Sequence, residues 1–190
     1  MAYFPMMIDI EDKSVLIVGG GPEAKKKAEI LNMFGARVTV VAKHAAVGLS
    51  DIADNIYIRE YKDSDIEDGN YALVVAATSD TVLNERISAV SRAAKIPVNV
   101  VDDAGLCTFI FPAIIKDKDV VCAVSSGGKS PYLAQHVKKL IDNVLPDNIG
   151  SINDTMGQIR KQAKEEIADT KDRREFLRKK LDYYLTESTR

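Results

Sequence analysis

Three short stretches of the chain combine residue types and spacings that suit chemistry. The first is Gly19-Gly20-Gly21-Pro22-Glu23-Ala24, which follows the apolar run Val15-Leu16-Ile17-Val18 and precedes a lysine-rich, helix-forming segment. Strand, glycine turn and helix start, in that order, is the context of a dinucleotide fingerprint. Gly19 permits the tight turn, Gly21 lets backbone approach a pyrophosphate, and Ala24 takes the small-residue slot where helix meets strand. Pro22 falls in the first helical turn, where an N–H is spare. The second stretch is Asp102, at the end of the strand-like Pro97-Val98-Asn99-Val100-Val101. A partly desolvated carboxylate there accepts a proton as hydride leaves the same substrate. The plainer alternative is that Asp102-Asp103 only turns the chain into Ala104-Gly105. The third is Ala123-Val124-Ser125-Ser126-Gly127-Gly128-Lys129-Ser130, close to a phosphate-binding loop with a strand before it and a helix after. It has alanine where the first glycine belongs, Pro131 directly after the serine, and no obvious Walker-B strand beyond. An ATPase is therefore the weaker reading. The better one is an anion cradle built by Ser126, Gly127, Gly128, Lys129 and Ser130, filled by a substrate carboxylate. Ser130 and Pro131 also suit the N-cap and first position of a helix, and that role is compatible with anion binding.

The cofactor side of the pattern is atypical. Arg37-Val38-Thr39-Val40-Val41-Ala42 reads as the second strand, at whose end an NAD site normally places an acidic residue for the ribose hydroxyls. Here Lys43-His44 stand there, with no Asp or Glu until Asp51. Lys43 favours a 2′-phosphate, hence NADP; a ribose held by backbone leaves NAD. Both stay open. Thr78, after the apolar Tyr71-Ala72-Leu73-Val74-Val75-Ala76-Ala77, is counted with the cofactor contacts because ligands bind at the carboxyl ends of such strands. Of Ser79 and Asp80, at least one is an N-cap for the next helix.

These groups must be positioned by an α/β fold. Apolar strands alternate with helical stripes, Ala24-Ala28-Leu31 after the first strand and Leu83-Ile87-Val90-Ala94 after Asp80, with Gly35 ending the first helix. Ile56 to Tyr61 alternates as a further strand, and the doubly apolar run from Tyr71 is a central parallel one. That predicts a Rossmann-type parallel sheet domain over residues 1–113, with the apolar opening Tyr3 to Ile8 covering part of the sheet. Thr108 to Ile115 and Val120 to Ser125 flank the charged turn Lys116-Asp117-Lys118-Asp119 as a hairpin, and a helix follows with Leu133, Val137, Leu140, Ile141 and Val144 inward. Residues 114–150 are too small to stand alone and are expected to pack on the first domain or on a second copy of themselves. Residues 151–190 predict a C-terminal helical segment of one or two amphipathic helices, with a break at Thr170-Lys171-Asp172.

Composition narrows the classes. In 190 residues, 26 Lys+Arg against 28 Asp+Glu give a net charge of -2, so no global field recruits nucleic acid or a membrane surface. Lys25-Lys26-Lys27 reads mostly as a solvated helix face. Cys107 and Cys122 lack metal spacing and read as reduced thiols; His44 and His136 do not make a metal cluster, His136 reading as a partly buried helix residue, and no metal site is expected. With no signal-peptide pattern and no apolar run near the ~20 residues of a membrane span, the expectation is a soluble, cytoplasmic protein.

Three segments, in order, resemble the precorrin-2 dehydrogenase/sirohydrochlorin ferrochelatase family, which also forms the N-terminal module of siroheme synthases. They are Val15 to Gly21 with Lys26-Lys27-Ala28; Asn99-Val100-Val101-Asp102 followed by Phe109-Ile110-Phe111-Pro112-Ala113; and Ala123 to Pro131. The resemblance implies NAD-dependent oxidation of the tetrapyrrole precorrin-2 to sirohydrochlorin and, in some members, insertion of Fe2+ as a substrate to give siroheme. It implies a homodimer joined through the hairpin-and-helix unit. It puts the catalytic aspartate on Asp102, NAD contacts on Pro22-Glu23 and Lys43-His44, and a serine phosphorylated in one branch on Ser126. Ala104-Gly105 departs from a proline common two residues after that aspartate. The rival from another class is a non-enzymatic NAD(P)-binding regulatory domain, which the glycine turn fits equally well.

Overall fold

The computed structural model describes residues 3–187. Two compact units divide the chain, Met1–Phe111 and Pro112–Arg190. The first is built on five parallel strands: β1 Ser14–Val18, β2 Arg37–Ala42, β3 Asn55–Ile58, β4 Leu73–Ala76 and β5 Val98–Val100, side by side in the order β3-β2-β1-β4-β5. Helices α1 Pro22–Met33, α2 Ser64–Glu67 and α3 Thr81–Ala93 connect them. Val18 pairs with both Val41 and Ala76, Ala42 with Ile58, and Ala76 with Val100. The strands therefore end nearly level, and the residues that follow each of them collect along one edge.

Strand residues alternate between two apolar layers, as a pleat with period two requires. Val15 and Ile17 join Ala24, Ala28 and Leu31 of α1 on one face; Leu16 and Val18 join Val74, Ala76, Ile87 and Val98 on the other. A sheet covered on both faces explains why β1 and β4 read as continuous apolar runs. Gly35, at φ 74, ends α1 as expected.

Three expectations need correction in this unit. Phe4, Met6, Met7 and Ile8 do not cover the sheet; they are exposed, and only Ile10 of the opening stretch is buried. Lys27 is half-buried rather than solvated. The buried stripe of α3 is largely polar, with Asn84, Ser88 and Ser91 beside Ile87, while Ala94 is exposed. Each of the three polar side chains is hydrogen-bonded, which offsets the cost of burying it.

In the second unit, β6 Ala113–Asp117 and β7 Val120–Val124 pair antiparallel around Lys118-Asp119, followed by α4 Pro131–Asp142, α5 Ile149–Glu166 and α6 Thr170–Glu187. Asp117 accepts the Gly150 amide at 2.6 Å and ties the hairpin to α5. Asp169 accepts the amides of Lys171 and Asp172, so the break between α5 and α6 lies just before Thr170. The apolar residues expected inward on α4 divide, with Val137 and Ile141 half-buried and the rest turned out. Leu133, Leu140 and Val144 are exposed, and only Ala134 of the helix is buried. His136 is exposed as well. Among the described residues no helix is long and apolar enough to cross a membrane.

Candidate functional site

The three glycines of the first turn serve three purposes. Gly19 has φ 116, and a Cβ there would lie 2.3 Å from the Ala77 carbonyl oxygen, so β1 and β4 approach too closely for any side chain. At Gly20 a Cβ would lie 2.0 Å from the His44 carbonyl oxygen, while the Gly20 carbonyl accepts the Ala46 amide at 2.7 Å. The chain after β2 is thus folded directly onto the glycine turn, a demand that a fingerprint alone does not reveal. Gly21 differs: a Cβ there would meet nothing within 4 Å, and its backbone is extended, so the fold itself does not require glycine. It caps α1 without any side-chain acceptor for the first-turn amides. Open space at an uncapped helix N-terminus is where the pyrophosphate of a dinucleotide would rest, on Gly20, Gly21 and the amides of Glu23 and Ala24. Ala24 is fully buried where helix meets strand.

The three lysines of α1 part company. Lys25 donates to the Val47 carbonyl at 3.2 Å and pins the segment after β2. Lys26 pairs with Glu23 at 2.6 Å, which raises its pKa. Lys27 places its ammonium 4.5 Å from the centroid of the Phe111 ring, and Phe111 in turn packs on Phe109 at 5.3 Å. Burial is the main influence on Lys27 and lowers its pKa, with Glu23 and, more weakly, Asp102 acting in the opposite direction.

Lys43 and His44 project past the end of β2, both exposed. Lys43 makes an ion pair with Glu60, just beyond the end of β3, at 2.9 Å. Glu60 carries no sequence signal, because its closeness to Lys43 arises only from the pairing of β2 with β3.

Thr78 follows β4, and its hydroxyl lies 2.7 Å from Asn84 Oδ1 and 3.1 Å from the Asp80 carbonyl. The Asn84 amide donates to the Thr78 carbonyl at 3.0 Å. A buried asparagine on α3 therefore fixes the turn that carries Thr78. Asp80 is the N-cap of α3, accepting the Leu83 amide at 3.0 Å.

Asp102 is exposed rather than partly desolvated as expected, in a turn just past β5 with φ 63, a left-handed backbone that non-glycine residues adopt at a cost of about 1 kcal/mol. The surrounding chain holds it there. The Cys107 thiol is buried, accepts the Val100 amide at 3.1 Å and lies 3.2 Å from the Asp103 carbonyl. The Asp103 carboxylate accepts the amides of Gly105 and Leu106. From α3, Ser88 donates to the Leu106 carbonyl at 2.7 Å, and the Arg92 guanidinium reaches the carbonyls of Leu106 and Cys107. The polar face of α3 thus anchors both the Thr78 turn and the Asp102 turn. Asp102 is thus exposed on backbone whose neighbours are anchored on both sides.

In the second unit, Gly127 and Gly128 both adopt positive φ, 66 and 81. Much of the cradle is occupied by its own hydroxyls. Gly127 donates its amide to Ser125 Oγ, Ser130 donates to Ser126 Oγ, and the Ser126 hydroxyl donates to the Ser130 carbonyl. Ser130 caps α4 by accepting the Leu133 amide. The exposed Lys129 ammonium and the Gly128 amide are what this loop offers an anion.

Comparison with known proteins narrows the class. The family model described as "Putative NAD(P)-binding" (NAD_binding_7) matches residues 6–113, more than half of the chain. A siroheme synthase of Ectopseudomonas mendocina (strain ymp) is 38% identical over 190 residues, covering 99% of this chain and 41% of its own. One from Ruthia magnifica is 38% identical over 98% of this chain and 40% of its own. The chain thus spans about two fifths of the curated relatives it matches. The solved structure named SirC, precorrin-2 dehydrogenase, shares the fold with a TM-score of 0.70 at 20% identity, covering 98% of this chain and 99% of that one. On the match across residues 6–113, the chain belongs to this NAD(P)-binding family.

Proposed function

We propose that this protein is an NAD-dependent precorrin-2 dehydrogenase, oxidising precorrin-2 to sirohydrochlorin in siroheme biosynthesis. The observation that carries the proposal is the similarity of nearly the whole chain, both units included, to one segment of the siroheme synthases. A non-enzymatic dinucleotide-binding domain would account for residues 6–113 but not for similarity through the hairpin and the helices after it.

A bound NAD supplies a hydride acceptor. The chain supplies the rest. Gly20, Gly21, Pro22, Glu23 and Ala24 would seat the cofactor's pyrophosphate, with Lys43 and His44 toward its adenosine ribose and Thr78 along the β4 rim. Removal of a hydride and a proton makes the macrocycle more unsaturated by one double bond. The Asp102 carboxylate takes that proton and, being exposed, passes it to solvent. Of the loop from Ser126 to Ser130, Lys129 recognises the carboxylates of the substrate by charge and Gly128 by its amide, while Ser126, Gly127 and Ser130 hold the loop in shape.

Two finer parts of the reading go with it. Insertion of Fe2+ into sirohydrochlorin, with the ion as substrate, is a second activity of the same Asp102 site. The exposed apolar face of α4 joins two copies of the chain as a homodimer. An anaerobic assay of purified protein with precorrin-2, with and without NAD+ and then Fe2+, tests the proposal. The sirohydrochlorin spectrum should appear only when NAD+ is present, and the siroheme spectrum after Fe2+. Tight dinucleotide binding with no change in the tetrapyrrole spectrum would favour the regulatory domain instead.

A further inference from the structure

The cofactor site lacks an acidic residue at the end of β2, where the dinucleotide fold ordinarily places one to bind the ribose hydroxyls. Lys43 occupies that position, and a free lysine there would attract a 2′-phosphate. It is not free. Glu60, from the next strand, closes an ion pair on it with 2.9 Å between Nζ and Oε1. The register of the sheet brings the two together: Ala42 pairs with Ile58, so the chain beyond β2 and the chain beyond β3 emerge side by side on the edge where the glycine turn opens. The segment between Lys43 and Val47 is itself fixed, by the close pack of His44 on Gly20, by the Ala46 amide on the Gly20 carbonyl and by Lys25 on the Val47 carbonyl. Lys43 is therefore held beside the glycine turn, with its charge already answered.

We propose that Glu60 is the specificity-determining acid of the cofactor site, delivered from β3 instead of β2, and that its pairing with Lys43 selects NAD over NADP. The carboxylate acts in two ways. It withholds the lysine from a 2′-phosphate and sets a like charge beside the place where that phosphate would lie. Its second oxygen carries no hydrogen bond to the described residues and accepts a ribose hydroxyl. The titration of the pair agrees: the hydrogen bond to Glu60 raises the Lys43 pKa, and the same bond lowers that of Glu60. In water such an exposed pair contributes little to stability.

The inference rests on the dinucleotide seat and not on the identity of the tetrapyrrole. The experiment is direct titration of the full chain with NAD+ and with NADP+ by calorimetry, for wild type, Glu60→Gln and Glu60→Gln/Lys43→Ala, with melting temperatures to establish that the exposed substitutions leave the fold intact. Wild type should bind NAD+ at least about tenfold more tightly than NADP+. Glu60→Gln should narrow that ratio by about tenfold, mainly by strengthening NADP+, and adding Lys43→Ala should abolish the gain. A Glu60→Gln ratio within about twofold of wild type, or a wild type that prefers NADP+, overturns the inference. Discrimination that follows Glu60 in a protein inert toward precorrin-2 would support it while sinking the proposed reaction, so the two fail separately.

Discussion

The Cys107 thiol lies 3.2 Å from the Asp103 carbonyl oxygen and closes the turn that holds Asp102 in left-handed backbone. With the Val100 amide donating to the same sulfur at 3.1 Å, one side chain grips the chain on both sides of the proposed proton acceptor. Cys107→Ala should therefore release the turn without touching the cofactor seat. We expect a loss of about 1–3 kcal/mol in stability from the unpaired Val100 amide and the small cavity. Turnover should fall about tenfold or more through misplacement of Asp102, at nearly unchanged NAD affinity. Cys107→Ser, which keeps a donor and an acceptor, should recover part of it. Wild-type kcat in Cys107→Ala would show that the grip is irrelevant to catalysis.

The same thiol has a signature in pH. Burial raises the Cys107 pKa above its ordinary value, only partly opposed by the Val100 amide. In the unfolded chain the thiol ionises first, so above the ordinary thiol range the unfolded state binds fewer protons and stability falls as pH rises. The contribution is whole below that range and is lost through the folded pKa. Urea unfolding from neutral pH to about pH 10 should show a steeper alkaline decline for wild type than for Cys107→Ala. Parallel declines would remove the thiol from the account.

Asp102 sets stability against function. At φ 63 a glycine is more comfortable than an aspartate, so Asp102→Gly should stabilise the fold by about 0.5–1 kcal/mol while abolishing most dehydrogenation. Asp102→Asn tolerates the same backbone and isolates the charge: NAD binding retained, turnover down by roughly 10² or more. Guanidinium midpoints and single-turnover rates on the two variants separate these effects. A stable Asp102→Gly enzyme with near-normal rate would move proton transfer to another group.

Asn84 was invisible to a reading by periodicity, and the reason is physical. The search for a helical stripe rewards apolar residues, and α3 spends part of its buried face on Asn84, Ser88 and Ser91 to hold loops. By contrast, β1, the glycine turn and α1 are legible as elements because they are contiguous, although what each glycine and lysine of that stretch meets comes from distant chain. Glu60 and Lys27 lie between these cases. Their partners, Lys43 and Phe111, are distant in sequence and meet only through strand pairing and the return of the chain after β5. Asn84→Ala should cost about 2–3 kcal/mol by stranding the Thr78 carbonyl, and should weaken NAD binding more than Asp80→Ala, which removes only a cap. Equal effects on NAD affinity would deny the Thr78 turn its place in the cofactor seat.

The face of α4 gives the last test. Within its own unit the helix fully buries only Ala134 and leaves Leu133 and Leu140 exposed, with Val144 exposed just beyond its end. Leu133 and Leu140 are two turns apart and share a face, so a partner surface would cover them together. Burying the exposed half of these two side chains contributes about 1.5–3 kcal/mol per protomer to association, and a glutamate at each position replaces that with desolvation of two charges. Leu133→Glu/Leu140→Glu should therefore sediment as a monomer where the wild type sediments as a dimer, with the helix content and the NAD affinity of unit one retained. If the double variant keeps the wild-type sedimentation coefficient, the proposed homodimer does not use this face, and the stripe on α4 must be covered by something other than a second copy.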